Sequence, residues 1–333
     1  MNNPLLNNLF DPPVLFFFFG VFVAAIRSNL QIPDSISKFL SLYLLMSIGF
    51  KGGQALAKTG FQGDMLLALS IAMFIAFAVP AYTFFILKNR TGVFNAAAVA
   101  ATYGSVSAVT FIAASQFLIN QGETFNGYMA VALVLMESPA IIMAVLLANW
   151  ARHQQATAVV TGTTSQAHSQ SLSIKNILHE AFTDGAHLLL LGSMLIGAIT
   201  GEHGKKVMDP FTGDIFKGML GFFLLDMGIK VAQRIRDLPP NKGFLLGFGI
   251  VMPVLNGCLA VLLTHLVTLP MGDEFLLVVL AASASYIVVP AVVRYAIPEA
   301  NPSLYFGLSL GITFPFNIVI GIPLYYSLVK YFN

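Results

Sequence analysis

The sequence predicts an all-α integral membrane protein with ten transmembrane helices, arranged as two inverted repeats of five helices each. Three observations lead to this prediction: a composition too poor in charge for a soluble surface, ten apolar stretches of membrane-spanning length, and matching motifs in the two halves of the chain. The composition narrows the class of protein, the stretches give the number of helices, and the motifs give their symmetry.

The composition excludes most soluble classes of protein. Of 333 residues, 57% are hydrophobic and 10% are charged, whereas a soluble domain has about 45–50% apolar and about 25% charged residues. The 17 Lys and Arg against 15 Asp and Glu form no basic stripe for phosphates, so no nucleic-acid partner is expected. The single cysteine, Cys258, excludes a disulfide framework and a multi-cysteine zinc site. We therefore expect a membrane protein with no cofactor.

Ten stretches come near the roughly 20 mostly apolar residues that a helix needs to cross the hydrocarbon layer. Unpaired backbone groups cost several kcal/mol in lipid, so every span is expected to be helical. The spans lie at about 13–30, 36–57, 64–87, 93–118, 124–150, 182–200, 211–234, 243–268, 272–297 and 303–331. No Lys or Arg precedes the first apolar run, which is therefore expected to be a retained span and not a signal peptide.

A polar segment rich in Gln, Ser and Thr, residues 152–174, is interpreted as a flexible linker between the two halves. Residues 1–151 then form the first five-span repeat, and residues 175–333 form the second, inverted repeat. Lys and Arg concentrate after the odd-numbered spans, which places those loops in the cytoplasm. We expect a multi-pass protein of the cell inner (plasma) membrane with both termini outside and the linker cytoplasmic.

Similar motifs recur in the two halves at a nearly constant offset along the chain. The sequence around Gly49 in span 2 matches that around Gly228 in span 7. At almost the same offset, Ser105-Val106-Ser107 in span 4 match Ser283-Ala284-Ser285 in span 9. Inverted repeats are typical of secondary transporters, whose solute site lies where broken helices of the two halves meet.

Spans 4 and 9 are both expected to be interrupted near their middle. Gly104 frees the backbone from negative φ, and Pro290 lacks a donor and disfavours helix at Val289. The second halves of the two spans would point their N-terminal, positive ends at each other, which suits a small anion, while the carbonyls of the first halves suit sodium. Small residues could instead serve only close packing, but their duplication favours a site. The predicted substrate-binding residues are Gly104, Ser105, Val106, Ser107, Ser283, Ala284 and Ser285.

Ionisable residues inside spans are costly and are candidates for function. Glu137, in the middle of span 5, is interpreted as part of a cation site or as a tie to span 4. Asn317 is uncharged but deep, and lies close to Glu137 by repeat position. Asp226 and Lys230, four residues apart on one helix face, could simply pair with each other. The candidate sodium or coupling residues are Thr102, Thr110, Glu137, Tyr286 and Asn317.

Several ordered motifs carry a resemblance to a known family. They are Ile48-Gly49 with Gly52-Gly53, Gly104 to Ser107, Glu137 to Ile141 with Ala148-Asn149, Ile297 to Ser303, and Gly311 to Pro315. In these motifs the sequence resembles the cyanobacterial sodium-dependent bicarbonate transporters, over most of the chain outside the linker. The resemblance implies a core and a gate domain, a homo-trimer, uptake of bicarbonate with sodium, and an anion site between spans 4 and 9.

The sequence also departs from the pattern of that family. Tyr286 stands where the family has Asp, Val288-Val289 replace Ser-Gly, and Glu137 stands where the family has Asp. The lost carboxylate and hydroxyls weaken the inference of a sodium site in span 9. A PII-like regulatory protein is a known partner in the cyanobacterial group, but the linker here lacks a long charged stretch, so this partner stays open.

The leading hypothesis is a secondary active transporter that takes up a small anion, bicarbonate first, with sodium as the coupling ion, by an elevator-like alternating-access mechanism. One alternative keeps the fold and transports another small organic anion or exchanges a cation for protons; antiporters need carboxylates at the crossing, and residues 93–118 and 275–297 hold none. An intramembrane enzyme is disfavoured, because His179-Glu180 lack the second histidine of a zinc motif (Thr183 stands there) and no Gly-x-Ser-x-Gly occurs.

Overall fold

The computed structural model describes residues 4–60, 63–159, 185–236 and 242–333, and all regular structure in these ranges is helical. The all-α prediction is therefore confirmed for this part of the chain. The helices are α1 (Pro4–Leu9), α2 (Pro12–Ala25), α3 (Asp34–Thr59), α4 (Gly63–Thr91), α5 (Val93–Gly104), α6 (Ala108–Gln121), α7 (Met129–Val159), α8 (Gly185–Asp209), α9 (Phe216–Arg236), α10 (Lys242–Thr264), α11 (Met271–Ala282), α12 (Val288–Ala296) and α13 (Pro302–Phe332).

Four helical segments in the described ranges are both long and apolar enough to cross a membrane. They are α4, α5 together with α6, Gly243–Thr264 of α10, and α13. Helix α2 is apolar but has 14 residues, fewer than the roughly 20 that a perpendicular crossing requires. The multi-pass membrane protein expected from the composition is thus supported, whereas the full set of ten spans stays a prediction.

Several helix ends differ from the predicted spans. Helix α7 runs through Val159, so residues 152–159 of the expected linker are helical and residues 160–174 lie outside the described residues. Helix α2 ends at Ala25, just before Arg27, whose backbone is left-handed with φ 56°. Helix α8 continues to Asp209 through a kink at Gly201 (φ 52°), because glycine tolerates this conformation. The residues beyond the kink are mostly polar, so the apolar pattern of the sequence did not predict that the helix continues there.

The helices pack as two groups. In the first, which we call the scaffold bundle, α3 packs on α8, α2 packs on α9, and α9 also contacts α3. In the second, the crossing bundle, α4 packs on α5 and α7, while α11 contacts α6, α10 and α13. The bundles meet where α3 contacts α6 and α7, where α7 contacts α8, and where α9 contacts α13. The interrupted helices of the crossing bundle therefore lie next to the scaffold bundle.

Two glycines that match between the halves perform the same packing task. A Cβ on Gly49 in α3 would lie 2.3 Å from the carbonyl oxygen of Leu190 in α8. A Cβ on Gly228 in α9 would lie 2.2 Å from the carbonyl oxygen of Phe17 in α2. Both contacts are far too close for any side chain, so each glycine permits the second helix of one half to touch the first helix of the other. The two halves of the chain therefore make equivalent contacts with each other at these glycines, and their inverted orientation stays a prediction.

The matching lysines also occupy equivalent places. Lys230 Nζ lies 2.6 Å from Ser37 Oγ and 2.7 Å from Asp226 Oδ2. Lys51 matches Lys230 in the first half of the chain, and its Nζ lies 4.8 Å from the ring centroid of Phe216, which matches Ser37 at the same offset. The pairing of Asp226 with Lys230 is confirmed. Each lysine thus contacts the equivalent position of the other half, although the chemistry of the contact differs.

The loops that follow the interrupted helices are held in an equivalent way. Asn95, near the start of α5, accepts a hydrogen bond of 2.8 Å through Oδ1 from the backbone N–H of Asn301. Asp273, near the start of α11, accepts one of 2.6 Å through Oδ1 from the backbone N–H of Asn126. Asn95 and Asp273 are separated by the same offset as Ser105 and Ser283. Each side chain therefore anchors the loop that follows the other interrupted helix.

Candidate functional site

The first interruption lies between α5, which ends at Gly104, and α6, which begins at Ala108. Ser105 and Ser107 have extended backbones there. Ser107 caps the N-terminus of α6: its Oγ accepts hydrogen bonds from Thr110 N at 3.2 Å and from Thr110 Oγ1 at 3.0 Å. The two predicted candidates Ser107 and Thr110 are thus joined by a local capping motif.

Gly104 contributes to this interruption by its size and not by a left-handed backbone. The glycines with positive φ in the described ranges do not include Gly104, so the expectation that its conformational freedom breaks the helix is wrong. A Cβ on Gly104 would lie 2.0 Å from Cγ of Pro80 in α4. The absence of a side chain therefore lets the end of α5 approach α4.

The second interruption lies between α11, which ends at Ala282, and α12, which begins at Val288. Pro290 stands in the first turn of α12, and Val289 is helical, so the expectation that Pro290 breaks the helix at Val289 is wrong. Proline is tolerated in a first turn because the N–H group that it lacks has no partner within the helix there. The interruption precedes Pro290 and includes Ser283, whose backbone is extended.

The two interruptions lie against each other. The backbone N–H of Ser107 donates to Ser283 Oγ at 2.9 Å, and the backbone N–H of Ser285 donates to the carbonyl oxygen of Thr102 at 2.8 Å. Ser283 Oγ in turn donates to the carbonyl oxygen of Leu280 at 2.8 Å. These contacts bring together residues from the two halves of the chain and form the centre of the candidate site.

The hydrogen bonds at the crossing are not symmetric. Ser283 Oγ has two partners, whereas the equivalent Ser105 Oγ is buried and has no hydrogen-bond partner among the described residues. The Tyr286 hydroxyl lies near Ser107 but makes no well-oriented hydrogen bond in the described ranges. Buried polar groups are usually paired. Two such oxygens at one crossing indicate a place where a ligand could supply the missing partners.

A cavity of about 50 Å³ lies beside the crossing. Its walls come from both interruptions and from three further helices of the two bundles. It is lined by Val106, Ser107 and Ala108, by Ser285, Tyr286 and Ile287, by Ser41 and Leu45 of α3, by Leu133 and Glu137 of α7, and by Ala186, His187 and Leu190 of α8. One water needs about 10–15 Å³ of such space, so the cavity has room for a small solute of a few atoms.

A buried ionisable pair forms part of the cavity wall. His187 Nε2 in α8 contacts Glu137 Oε2 in α7, and the two residues are 5% and 4% exposed. The contact joins the scaffold bundle to the crossing bundle. Glu137 was identified from the sequence, but His187 was not. A lone histidine near the start of an apolar stretch was the signal that could have drawn attention to it.

The remaining candidates for sodium coupling, Thr102 and Asn317, form hydrogen bonds within the protein. Thr102 Oγ1 donates to the carbonyl oxygen of Ala98 at 2.9 Å. Asn317 Nδ2 donates to the carbonyl oxygen of Ala282, the last residue of α11, at 2.8 Å, and Asn317 Oδ1 accepts from the Tyr325 hydroxyl at 3.0 Å. Asn317 therefore connects α13 to the end of α11 at the second interruption.

In the described part of the chain, an all-helical fold with apolar, membrane-length helices defines a multi-pass membrane protein, and a small cavity lies where its interrupted helices cross. The Na+-dependent bicarbonate transporter superfamily matches residues 12–330, and the chain belongs to this family. The resemblance inferred from the sequence motifs is thereby confirmed. No curated protein matches the chain. Membership of a transporter family points to a protein that is not an enzyme.

Proposed function

We propose that the protein is a secondary active transporter that takes up bicarbonate together with sodium, and that both ions bind at the crossing of the two interrupted helices. The observation that supports this most directly is the cavity lined by Ser107 and Ser285, next to the beginnings of α6 and α12. The family supports the same substrate and the same coupling ion. It does not favour the alternative of a cation/proton antiporter.

The proposed anion site is the cavity itself. Ser107 caps α6 there, and the beginning of a helix offers N–H groups and a positive dipole end to an anion. Ser285 and Tyr286, which both carry hydroxyl groups, line the same cavity. Hydroxyl groups both donate and accept hydrogen bonds, which suits bicarbonate, an anion with acceptor oxygens and one O–H donor. The cavity volume of about 50 Å³ favours this anion over larger organic anions.

The proposed sodium site lies toward the end of α5. The carbonyl end of a helix carries partial negative charge, and half-helix ends with unwound carbonyls coordinate sodium in other secondary transporters. Ser105 Oγ, without a partner among the described residues, lies at this end, one turn after Thr102. We therefore assign Ser105 to sodium with Thr102 beside it. We leave Glu137 out of this set, because its carboxylate contacts His187.

The two bundles suggest how the site could be exposed to either side of the membrane. The cavity has walls from both bundles, so a displacement of the crossing bundle along the scaffold bundle would carry the bound ions with it. This is an elevator-like mechanism, with the crossing bundle as core and the scaffold bundle as gate. The homo-trimer, the inner-membrane location, the orientation of the termini and a PII-like regulator stay predictions from the sequence.

Sodium entry can supply a useful driving force. One sodium ion entering down a potential of 100 mV provides about 2.3 kcal/mol. If no other charge moved, this would concentrate the anion roughly fifty-fold. Sodium coupling is therefore sufficient for accumulation of bicarbonate against a gradient.

The test is uptake of radiolabelled bicarbonate into liposomes that contain the purified protein. We expect uptake to be faster with sodium outside than with potassium outside, and Ser107→Ala to reduce it. Ser70→Ala is the matched control, since the Ser70 hydroxyl is exposed on α4 and donates only to the carbonyl oxygen of Leu66. Equal uptake in sodium and potassium would refute the coupling, and competition by an excess of formate or nitrate would show a broader anion specificity.

A further inference from the structure

The cavity proposed for an anion contains a carboxylate. Among its lining residues, Glu137 is the one that can carry a negative carboxylate, and its side chain is buried. A buried carboxylate repels an anion strongly, because little water is present to screen the two charges. Something on the cavity wall must therefore offset the charge of Glu137 before a bicarbonate ion could bind beside it.

His187 is the residue placed to do this. Among the described residues that line the cavity, it is the histidine, and none of them is Lys or Arg. Its Nε2 contacts Glu137 Oε2. Buried charges are stable only when they are paired. The contact joins helix α7 of the crossing bundle to helix α8 of the scaffold bundle, so it depends on the relative position of the two bundles in this conformation.

A second buried carboxylate in the described part of the chain, that of Asp226 in α9, is compensated by its neighbours. It accepts hydrogen bonds from Lys230 and Ser37. Tyr286 also lines the cavity, and a phenol is ordinarily neutral near pH 7. Among the described residues that line the cavity, Glu137 and His187 are therefore the charged or chargeable pair that an entering anion meets.

We propose that His187 is a specificity-determining residue of the transporter, which neutralises Glu137 across the bundle interface and thereby lets the cavity accept an anion. The inference rests on the proposed function, since it requires the transported anion to occupy this cavity. It assigns to Glu137 a role in setting the charge of the cavity in place of the direct binding of sodium that the sequence suggested.

The test compares four proteins in liposomes at one pH and one sodium concentration: wild type, His187→Gln, Glu137→Gln and the double variant. Loss of one partner of a buried charge pair is costly, so we expect His187→Gln to raise the KM for bicarbonate by about tenfold or more. Removal of the carboxylate as well should reverse this, because the double variant, like the wild-type pair, has no net charge at this place, so its KM should be close to that of the wild type. His265→Gln, which changes an exposed histidine just after α10, is the control.

The rescue by the second substitution separates this role from a structural one, because a merely destabilised protein would lose more with two changes than with one. Size-exclusion profiles and the amount of folded protein are measured for each variant. A double variant as impaired as His187→Gln overturns the proposal while leaving bicarbonate transport intact. A wild-type protein that takes up no bicarbonate refutes the proposed function, and the inference falls with it.

Discussion

The backbone N–H of Ser107 donates a hydrogen bond of 2.9 Å to Ser283 Oγ, and this bond joins the two interrupted helices at the centre of the protein. Ser105 occupies the position equivalent to Ser283 in the first half of the chain, but its hydroxyl has no partner among the described residues. The same residue type at matching positions therefore has different surroundings: Ser283 joins the two halves, and Ser105 is the residue that we propose as a sodium ligand. Substitution of the two serines should accordingly have different consequences.

Ser283→Ala should destabilise the protein. The substitution leaves the buried N–H of Ser107 without its acceptor, which costs about 1–3 kcal/mol. The measurement is the midpoint of thermal unfolding in detergent. Ser105→Ala removes no hydrogen bond within the described residues and should leave the midpoint within about a degree of wild type, since buried Ser-to-Ala changes without a lost partner cost little. Equal losses for both variants would contradict the assignment.

Ser105→Ala should weaken sodium dependence. If the free hydroxyl of Ser105 is a sodium ligand, its loss should raise the sodium concentration for half-maximal uptake by about tenfold, equivalent to the loss of one good contact. The measurement is bicarbonate uptake against external sodium. Ser115→Ala, which changes a buried serine in α6 that donates only to the carbonyl oxygen of Phe111, is the control. An unchanged sodium curve for Ser105→Ala would remove Ser105 from the sodium site.

Gly49→Ala and Gly228→Ala should both destabilise the scaffold bundle. The added methyl group would meet a backbone carbonyl at 2.3 Å or 2.2 Å, and overpacking of this kind costs about 1–3 kcal/mol or more. Gly192→Ala in α8 is the matched control, because nothing lies within 4 Å of its Cβ position. Replacement of that glycine should stabilise the helix slightly. The measurement is thermal unfolding, and tolerance of both core substitutions would mean that the helices do not touch as described.

The pair of Arg152 and Glu299 should add a pH-dependent contribution to stability. Burial raises the pKa of Glu299, but the hydrogen bond and the charge of Arg152 lower it by more, so the net pKa lies below its usual value. A depressed carboxyl pKa contributes stability above the unfolded pKa, and this contribution is lost as the pH falls through the folded pKa. The unfolding midpoint of the wild type should therefore fall more steeply below about pH 4.5 than that of Glu299→Gln. Parallel curves would show that the exposed pair contributes nothing.

Much of the candidate site could be predicted from the sequence, because the serine motif at the interruptions occurs in each half of the chain. The spacing of Ser105 and Ser283 located both interruptions, and Val106, Ser107, Ser285, Tyr286 and Glu137 all line the cavity. The causes of the two helix interruptions were not predicted correctly. Gly104 acts through its contact with Pro80, and Pro290 follows the break that it was expected to cause. Residue type indicates where a helix can end, but neighbouring helices determine where it does.

The sequence by itself determined that the protein belongs in a membrane, that the same motifs occur in both halves, and which serines lie at the two interruptions. These properties follow from the composition and from the spacing of motifs, which can be counted along the chain without knowing which helices pack together. Only the tertiary structure decided that His187 contacts Glu137, that Ser283 Oγ is hydrogen-bonded, and that Ser105 Oγ has no hydrogen-bond partner among the described residues. Such partnerships join residues that are distant in the chain, and they depend on which helices pack together and at what distance, which no pattern within one helix specifies.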